Sequence, residues 1–254
     1  MDRGCRRVVL ERDEYEKLDR AEDRMWWFAA LHANVLAAWR RHGSLRPGSR
    51  VLDAGCGTGG LLTRLDGTSD AIGVDADAQA CARAAAKSGR PVCAGSVDAL
   101  PFADAAFAAI VSTDVLCHRG VDERRALAQF HRCLGADGIL VLNLPAYRWM
   151  MSRHDAAVYN TRRYTKRGVL GLLRAAGFQP IFASYWNMLL FPLMVLTRKL
   201  LPGGGSDVRE QPGWVEAIGG AATGIERMLI RAGIALPFGG SVLAVAAKIE
   251  SNHA

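Results

Sequence analysis

A glycine-rich run bracketed by two aspartates is the part of this sequence whose residue types and spacing could do binding chemistry. The run is Val51-Leu52-Asp53-Ala54-Gly55-Cys56-Gly57-Thr58-Gly59-Gly60, and Asp75 follows at the end of a second apolar stretch. The pattern predicts a buried strand that ends in an acid, a tight turn, the start of a helix, and a second strand whose tip carries Asp75. An acid at that tip is typical of folds that bind the ribose of an adenosine-containing ligand.

The negative charge of Asp53 separates the candidate ligands. Gly55, Gly57 and Gly60 have the G-x-G-x-x-G spacing of a dinucleotide-binding turn. A carboxylate just before the first glycine would, however, repel an anionic pyrophosphate. S-adenosylmethionine carries an ammonium and a sulfonium, which suit Asp53, and a carboxylate, which suits the amides of the turn. With Asp75 accepting hydrogen bonds from both ribose hydroxyls, we predict S-adenosylmethionine as the cofactor.

Three segments resemble, in this order, motifs of the class I S-adenosylmethionine-dependent methyltransferases. Residues 53–59 resemble the first motif, 96–102 the adenine-binding segment and 107–118 the fourth-strand motif. Ala108 stands where the superfamily usually has an aspartate that supports the start of the strand, so we do not expect cofactor binding to be lost. No metal site is expected. The cofactor-binding residues implied by the resemblance are Asp53, Gly55, Cys56, Gly57, Gly59, Asp75, Ala76, Val97, Asp98, Ala99 and Asp114.

A narrower resemblance connects the chain with one bacterial subgroup of these methyltransferases, of the type 11 kind. The segments that carry it are Trp26-Trp27-Phe28, a His-Asp pair before Arg162-Arg163-Tyr164, the stretch from Tyr185 to Pro192, and Pro237-Phe238-Gly239-Gly240-Ser241. Members of the subgroup often have a histidine where this chain has Asn160. That departure leaves His154 as the better candidate for a general base.

Alternating strand and helix patterns predict the elements that would position these residues. With the resemblance, the expected fold is α/β: a Rossmann-like, doubly wound, seven-stranded sheet, mostly parallel with an antiparallel last strand, plus a helical lid. Gly135 is expected to end one helix, and Thr165 and Gly177 to cap another. The predicted strands cover residues 50–53, 71–75, 91–95, 109–112, 139–144, 178–185 and 241–248, and the predicted helices cover 60–65, 78–88, 122–134 and 165–176.

The sequence predicts a single methyltransferase domain over residues 1–254. Residues 1–45 are expected to form a helical leader, 46–185 and 236–250 the Rossmann-like core, and 186–235 a helical lid insertion. Apolar side chains of the leader could make one helical face, which packs on the domain or covers the cofactor. These side chains are Trp26, Trp27, Phe28, Leu31 and Val35.

The lid insertion has two interpretations. Its apolar run over 187–201 is too short to span a bilayer, and Pro192 would kink it. A Pro-Gly-Gly-Gly linker at 202–205 and a second amphipathic run over 214–231 follow. We favour a lid over the substrate pocket. The alternative is an interfacial helix with its apolar side chains in lipid and its cations at the headgroups. The residues in question are Trp186, Leu190 and Phe191 for the lipid, and Arg198 and Lys199 for the headgroups.

Composition and charge bear on the compartment and the partners. The N-terminus lacks the apolar core of a signal peptide, and no cysteines form a C-x-x-C pair. We therefore expect buried thiols in a reducing, cytoplasmic compartment, with peripheral contact at the inner membrane face as an extension. A net charge of +7 favours anionic partners. Basic residues cluster near the predicted substrate side, where they form either a binding site or a solvated surface: Arg148, Arg153, Arg162, Arg163, Lys166 and Arg167.

Methyl transfer from a sulfonium is an in-line displacement, so the protein mainly aligns the acceptor and excludes water. A general base is needed where the acceptor is protonated, and the pocket should lie beyond the carboxyl ends of the strands. Catalytic candidates there are His154, which Asp155 orients unless it caps a helix, and His118, which lines the pocket or ends a strand. Candidate substrate-binding residues are Tyr147, Tyr164 and the pair Arg162 and Arg163, which clamp an anionic group or form surface ion pairs.

These observations predict a methyltransferase acting on a small or lipid-linked acceptor, such as a glycolipid or isoprenoid intermediate. The apolar lid motivates the choice of acceptor. A cofactor-binding scaffold without turnover is an alternative. A nucleic-acid methyltransferase is disfavoured because Ser112-Thr113-Asp114-Val115 replaces a base-methylation motif of the Asn-Pro-Pro-Tyr type. A nicotinamide oxidoreductase is disfavoured by Asp53.

Overall fold

The computed structural model describes Asp19, Glu22 and residues 25–43, 48–65, 70–200 and 212–249. The strands in this part of the chain are β1 (Arg50–Ala54), β2 (Asp70–Asp75), β3 (Val92–Ala94), β4 (Phe107–Thr113), β5 (Leu134–Pro145), β6 (Phe178–Trp186) and β7 (Ser241–Lys248). The helices are α1 (Trp26–His42), α2 (Ala78–Ser88), α3 (Glu123–Cys133), α4 (Arg153–Ala157), α5 (Lys166–Ala175), α6 (Phe191–Leu200) and α7 (Gly213–Arg231).

Within the described residues the strands form one seven-stranded sheet in the order β3-β2-β1-β4-β5-β7-β6. The strands from β3 to β5 pair in parallel, whereas β7 runs antiparallel to both β5 and β6. Ser241 at the start of β7 is opposite Pro145 and also opposite Trp186. The carboxyl ends of the parallel strands therefore meet the start of β7 at one edge, and the predicted fold class is confirmed.

Two apolar clusters cover the two faces of the sheet. Neighbouring residues of a strand point to opposite faces, so Leu52 joins a cluster with Phe130 of α3, whereas Val51 joins one with Val35 of α1 and Ile230 of α7. The strands carry apolar residues on both faces, as expected for a parallel sheet between helical layers. In the part of the chain that the structure describes, no helix is long and apolar enough to cross a membrane.

Local capping explains the helix bounds. Asp77 accepts the amides of Gln79 and Ala80 at 2.8 Å each, and α2 ends before Gly89, whose φ is +66°. Thr165 caps α5 as predicted, and Gly177 follows that helix with a φ of +83°. The predicted N-cap is confirmed, whereas the C-cap of this helix is Ala176, one residue before the predicted Gly177.

Two local predictions are wrong. Gly135 does not stop α3, because the helix ends at Cys133 and β5 begins directly at Leu134. The predicted helix over 60–65 is a 3₁₀ helix over Leu62–Arg64, and residues 66–69 lie outside the described part. The carbonyl of Gly60 accepts hydrogen bonds from the side chains of Thr63 and Arg64 at 2.9 and 2.7 Å. These bonds compete with the α-helical ladder.

The leader and the second half of the predicted lid pack on each other. Helix α7 lies against α1, and a Cβ on Gly219 would come within 2.4 Å of the Trp26 ring, so the helices can approach this closely only with glycine there. Phe28, Leu31 and Val35 face the core, as predicted from the sequence. The sequence predicted one lid over residues 186–235, but α7, which lies within this range, packs on the leader helix α1.

Candidate cofactor and active site

The glycine turn is held tightly between neighbouring elements. The amides of Gly55 and Cys56 both donate to the carbonyl of Val74, at 2.8 and 3.0 Å. Gly55 has a φ of +85°, and a Cβ there would lie 2.1 Å from a methyl of Val115. Gly59 has a φ of +88°, and its Cβ would meet the backbone of α2. Only glycine satisfies both the conformation and the space at these positions.

Asp53 is buried beside the turn without a partner. It is 1% exposed, and neither of its carboxylate oxygens has a hydrogen-bond donor among the described residues. Burial, followed by the charges of Glu22 and Asp75, raises the pKa of Asp53 to about 8. A buried carboxylate of this kind is costly unless a cation approaches it. The site therefore fits the ammonium group predicted for the cofactor.

Asp75 lies at the tip of β2, and hydrogen bonds within the protein use only part of the accepting capacity of its carboxylate. One of its oxygens accepts the amide of Gly57 and the other that of Asp77, both at 3.0 Å. Burial raises the pKa of Asp75, and the two amides counteract that rise. Each carboxylate oxygen accepts more than one hydrogen bond, so both retain capacity for a ribose hydroxyl. Ala76 is exposed next to it.

A third carboxylate stands at the predicted adenine end. Asp98 accepts the amide of Asp122 through one oxygen at 3.2 Å, whereas its other oxygen is buried and has no partner in the described chain. Val97 is buried and Ala99 is exposed, on either side of Asp98. The unsatisfied oxygen fits an amine donor such as the exocyclic amine of adenine.

Asp114 belongs to a hydrogen-bonded chain across three strand ends. Asn143 of β5 donates to both oxygens of Asp114, and its own oxygen accepts the indole N–H of Trp186 at 2.7 Å. Asp114 has a φ of +55°, in the left-handed region that is uncommon for non-glycine residues but that aspartate tolerates better than most. Burial raises its pKa to about 7, against the opposing effects of Arg163 and Asn143. The sequence pattern predicts neither of the bonds of Asn143, and Trp186 was considered only as a lipid-facing side chain.

Glu22 is a second residue that sequence reasoning missed. Its carboxylate accepts the hydroxyl of Thr58 at 2.6 Å and the amide of Gly60 at 3.1 Å, and Lys87 lies 3.5 Å away. The leader thus touches the glycine turn directly, next to Asp53. No local sequence pattern around Glu22 predicts this contact, because Glu22 and the glycine turn are far apart in the sequence.

Asp155, which was predicted to orient His154, is bound by Ser152 and Arg163. Asp155 is fully buried, and its oxygens accept bonds from the amide and hydroxyl of Ser152 and from the Arg163 guanidinium. Burial alone would raise the pKa of Asp155, but the bonds and charge of Arg163 lower it overall. Asp155 therefore has the helix-capping role that was the alternative in the sequence analysis. His154 is half-buried on α4.

His118 joins two loops at the edge of the site. Its backbone pairs with Asn160 in an isolated bridge, and the backbone groups of Val158 and Asp114 near its ring oppose the effect of burial on its pKa. Burial lowers its pKa, which keeps the ring neutral near pH 7. The thiol of Cys117 donates to the Asn160 amide oxygen at 3.1 Å. The position where the resembling subgroup often has histidine thus lies beside His118.

The expected anion clamp is replaced by structural contacts. The Arg162 guanidinium donates to backbone carbonyls of Leu116, His118 and Val121. Arg163 is almost fully buried and bonds to Asp155 and to the carbonyl of Ala146. The Tyr164 hydroxyl lies 2.9 Å from the carbonyl oxygen of Leu116 and 2.8 Å from a carboxylate oxygen of Glu123, and burial raises the pKa of Tyr164. These side chains hold the segment after β5 against the loop after β4, so we correct their predicted role in substrate binding.

An aromatic cluster lies at the same sheet edge, under α6. Tyr147 stacks on Tyr185 with ring centroids 5.2 Å apart and contacts Phe191 of α6 at 5.6 Å. Trp149 and Phe238 extend the cluster on either side of Phe191. Tyr147 has a φ of +58°, and burial with the neighbouring Tyr185 raises its pKa to about 12. The predicted substrate residue Tyr147 therefore forms part of an apolar, aromatic wall.

The described cysteines are free thiols. Burial raises the pKa of each, to about 11 for Cys81, so they remain protonated at neutral pH. Cys5 lies outside the described residues. Among the residues that are described, no cluster of histidine, cysteine or acidic side chains has the arrangement of a metal site.

Comparison with known proteins identifies the domain. A family model described as a methyltransferase domain matches residues 52–142. O-methyltransferase cnsE of Penicillium expansum is 32% identical over 148 residues, which cover 53% of each chain. The chain spans about half the length of the curated relatives it matches.

Solved structures share the fold over most of the chain. A methyltransferase in complex with the Haloferax volcanii Trm112 methyltransferase activator has a TM-score of 0.62 at 19% identity, covering 95% of this chain and 97% of that one. Geranyl diphosphate C-methyltransferase from Streptomyces coelicolor has a TM-score of 0.57 at 16% identity, covering 85% and 76%. At these identities the likeness concerns the fold alone. Residues 52–142 therefore match a methyltransferase domain, and the chain shares the fold of class I S-adenosylmethionine-dependent methyltransferases.

Proposed function

We propose that this chain transfers a methyl group from S-adenosylmethionine to a small or lipid-linked acceptor that carries a protonated nucleophile such as a hydroxyl. The observation that carries the proposal is Asp53, a buried carboxylate beside the glycine turn whose oxygens have no hydrogen-bond donor among the described residues. A cationic ligand would offset its burial, whereas a pyrophosphate would worsen it. The methyltransferase domain match over the same turn supports this assignment.

The chain's own residues divide the work of binding. Asp53 would hold the ammonium, Asp75 the ribose hydroxyls, and the free oxygen of Asp98 the adenine amine. When bound, S-adenosylmethionine supplies an activated methyl group. The protein then needs to align the acceptor, exclude water and remove one proton.

Asp114 is the best-placed proton acceptor in this proposal. Its pKa of about 7 lets the carboxylate both bind and release a proton near neutral pH. Asn143 donates to both of its oxygens and so fixes its orientation. This role replaces the proposed His154 and Asp155 pair, since Asp155 is bound to Arg163. His154 remains a candidate whose role is open to test.

The aromatic cluster supports an apolar acceptor. Tyr147 and Phe191 place ring faces beyond the ends of β5 and β6, the usual ligand position in open α/β sheets. Helix α6 covers this cluster, consistent with a lid. The names of an O-methyltransferase and a geranyl diphosphate C-methyltransferase among similar proteins accord with small hydroxylated or isoprenoid acceptors.

The interfacial interpretation of residues 186–201 needs different residues from those predicted. Trp186 was expected in lipid, but it is fully buried and its indole is bonded to Asn143. Leu190 and Phe191 are half-buried. The exposed large apolar side chains in the described part of this segment are Leu189, Leu193 and Leu196.

Calorimetric titration with S-adenosylhomocysteine tests the proposal, with NADH as the control ligand. We expect micromolar binding of the former and none of the latter. Transfer of a radiolabelled methyl group is then sought on hydroxylated isoprenoids and on a lipid extract. Binding of NADH, or of neither ligand, would remove the cofactor assignment. Cofactor binding without transfer to any acceptor would favour the scaffold alternative, because a fold does not fix a reaction.

A further inference from the structure

Helix α7 exposes an apolar stripe on the side that faces away from the protein. Trp214, Ile218, Ile225 and Met228 are between 53% and 71% exposed. Their spacings of four, seven and three residues place them on one face of a helix. Such a continuous exposed apolar stripe is typical of a contact surface.

The opposite face of α7 is buried against the rest of the protein. Gly219, Thr223, Glu226 and Ile230 are buried. The inward packing therefore accounts for the stability of the helix on the domain, and the outward stripe is not needed for it. Something outside the described chain would have to cover that stripe.

The charges of this region favour an anionic partner. In the described residues between 187 and 234, the acidic side chains are Glu216 and Glu226. Glu216 accepts the amide of Trp26, and Glu226 accepts those of Met188 and Leu189 at 2.9 Å. Both acids are thus turned inward onto backbone donors.

Cations remain on the outer side of the same region. Arg231 is exposed at the end of α7, near Arg41 of α1, which donates to its carbonyl at 2.8 Å. Lys199 of α6 lies over the exposed ring of Trp149, 6.0 Å from its centroid. The exposed apolar residues are therefore accompanied by basic groups, whereas the nearby described acids are internally satisfied.

Glu226 also links the two apolar helices. Its bonds to the amides just before α6 fix the start of that helix to α7. Helix α6 exposes Leu193 and Leu196. An apolar surface with basic groups beside it, on helices too short or too polar to span a bilayer, is the arrangement of interfacial membrane contact.

We propose that the outward stripe of α7, defined as Trp214, Ile218, Ile225 and Met228, docks this protein on an anionic membrane surface, with the exposed leucines of α6 as a second contact. The proposal concerns a surface away from the glycine turn and does not depend on the cofactor assignment. It would place the protein where a lipid-linked acceptor resides.

Vesicle flotation tests the proposal with the full chain. Vesicles of phosphatidylcholine with phosphatidylglycerol should carry the protein to the top of the gradient, and pure phosphatidylcholine vesicles should carry much less. Ile218→Ser with Ile225→Ser should lower the partition coefficient onto the vesicles about tenfold. The two serines bury less apolar surface in the bilayer than the isoleucines that they replace. Ile181→Ser with Ile249→Ser is the matched control, because both side chains are 45% exposed elsewhere on the domain. It should leave partitioning unchanged.

Further measurements separate the remaining outcomes. Lys199→Gln with Arg231→Gln should weaken binding to the anionic vesicles and reduce its salt dependence. Leu193→Ser with Leu196→Ser tests the second contact alone. Titration with S-adenosylhomocysteine should be unaffected in every variant, which distinguishes this proposal from the proposed chemistry. No flotation of the parent protein, or equal losses in the matched control, would overturn the proposal. A dimeric mass that the α7 serines convert to a monomer, without vesicle binding, would assign the stripe to a second copy instead.

Discussion

The side-chain amide of Asn143 donates to both carboxylate oxygens of Asp114, at 3.1 and 3.3 Å, across the ends of two neighbouring parallel strands. The same Asn143 accepts the indole N–H of Trp186, so its amide orientation is fixed and cannot flip without losing bonds on both sides. A carboxylate held in this way, with a left-handed backbone and a pKa near 7, is prepared for proton transfer.

Asp114→Asn should lower kcat by about 10²–10⁴-fold, the usual contribution of a general base. In the parent protein, kcat should rise as pH increases through about 7, because only the deprotonated carboxylate accepts a proton. The variant should lose that pH dependence. Steady-state kinetics across pH, with a calorimetric titration of S-adenosylhomocysteine, checks both points. A large loss of cofactor affinity would instead put Asp114 in the cofactor site, as the sequence analysis predicted.

Asp53→Asn should stabilise the ligand-free protein at pH 7 by about 1–3 kcal/mol while weakening S-adenosylhomocysteine binding. The carboxylate of Asp53 has a folded pKa of about 8, raised by burial from an ordinary 3.8. The unfolded chain releases this proton first, so stability falls as pH rises from about 4 to about 8. Urea unfolding at several pH values should show this slope in the parent and a smaller one in the variant. Identical slopes would contradict the burial of an unpaired carboxylate.

Asp75→Ala should weaken cofactor binding by about 2 kcal/mol, or roughly thirtyfold, because a charged pair of hydrogen bonds to the ribose is lost. Calorimetry gives the affinity. Asp77→Ala is the control, since Asp77 caps α2 through Gln79 and Ala80 and should cost stability without a comparable loss of affinity. Similar cofactor affinities of the Asp75→Ala variant and the parent protein would contradict the assignment of Asp75 to the ribose.

Asp155→Ala should destabilise the protein by about 3–5 kcal/mol, because it leaves the buried guanidinium of Arg163 without its partner. The pKa of Asp155 is lowered overall in the folded state, so its contribution is present above an ordinary pKa of 3.8 and is lost as pH falls through the folded value. Chemical denaturation measures the change.

Asp104→Ala serves as the matched control for that substitution. It removes the partner of Arg132 in an ion pair whose carboxylate is 78% exposed, so the loss should stay under about 1 kcal/mol. Equal losses in the two variants would show that burial of the Asp155 pair does not matter.

Local signals predicted much of the fold. Helix α2 was predicted over its observed bounds, because Ala-rich sequence stands between a capping aspartate and Gly89. Strand β7 was predicted as observed, because residues 242–247 are continuously apolar and two glycines precede Ser241. The glycine turn could be predicted because its glycines and Asp53 are close together in the sequence.

Long-range pairing could not be predicted in the same way. Arg162 and Arg163 were expected to face an acceptor, but their partners are carbonyls and a carboxylate that no local pattern identifies. The contact between Glu22 and Gly60 joins residues 38 apart, and that between Asn143 and Trp186 joins residues 43 apart. Which polar groups meet is decided by how the helices pack, and the sequence pattern specifies only which faces are buried.

The position of β7 has a consequence for synthesis of the chain. This strand lies between β5 and β6, although both precede it in the sequence. While the ribosome is still making α7, both β5 and β6 present open backbone donors and acceptors along the gap. Until residues 241–248 emerge, these edges can pair with other nascent chains. The sheet therefore closes only at the end of synthesis. Chaperones that bind the nascent chain would encounter it before β7 has filled the gap between β5 and β6.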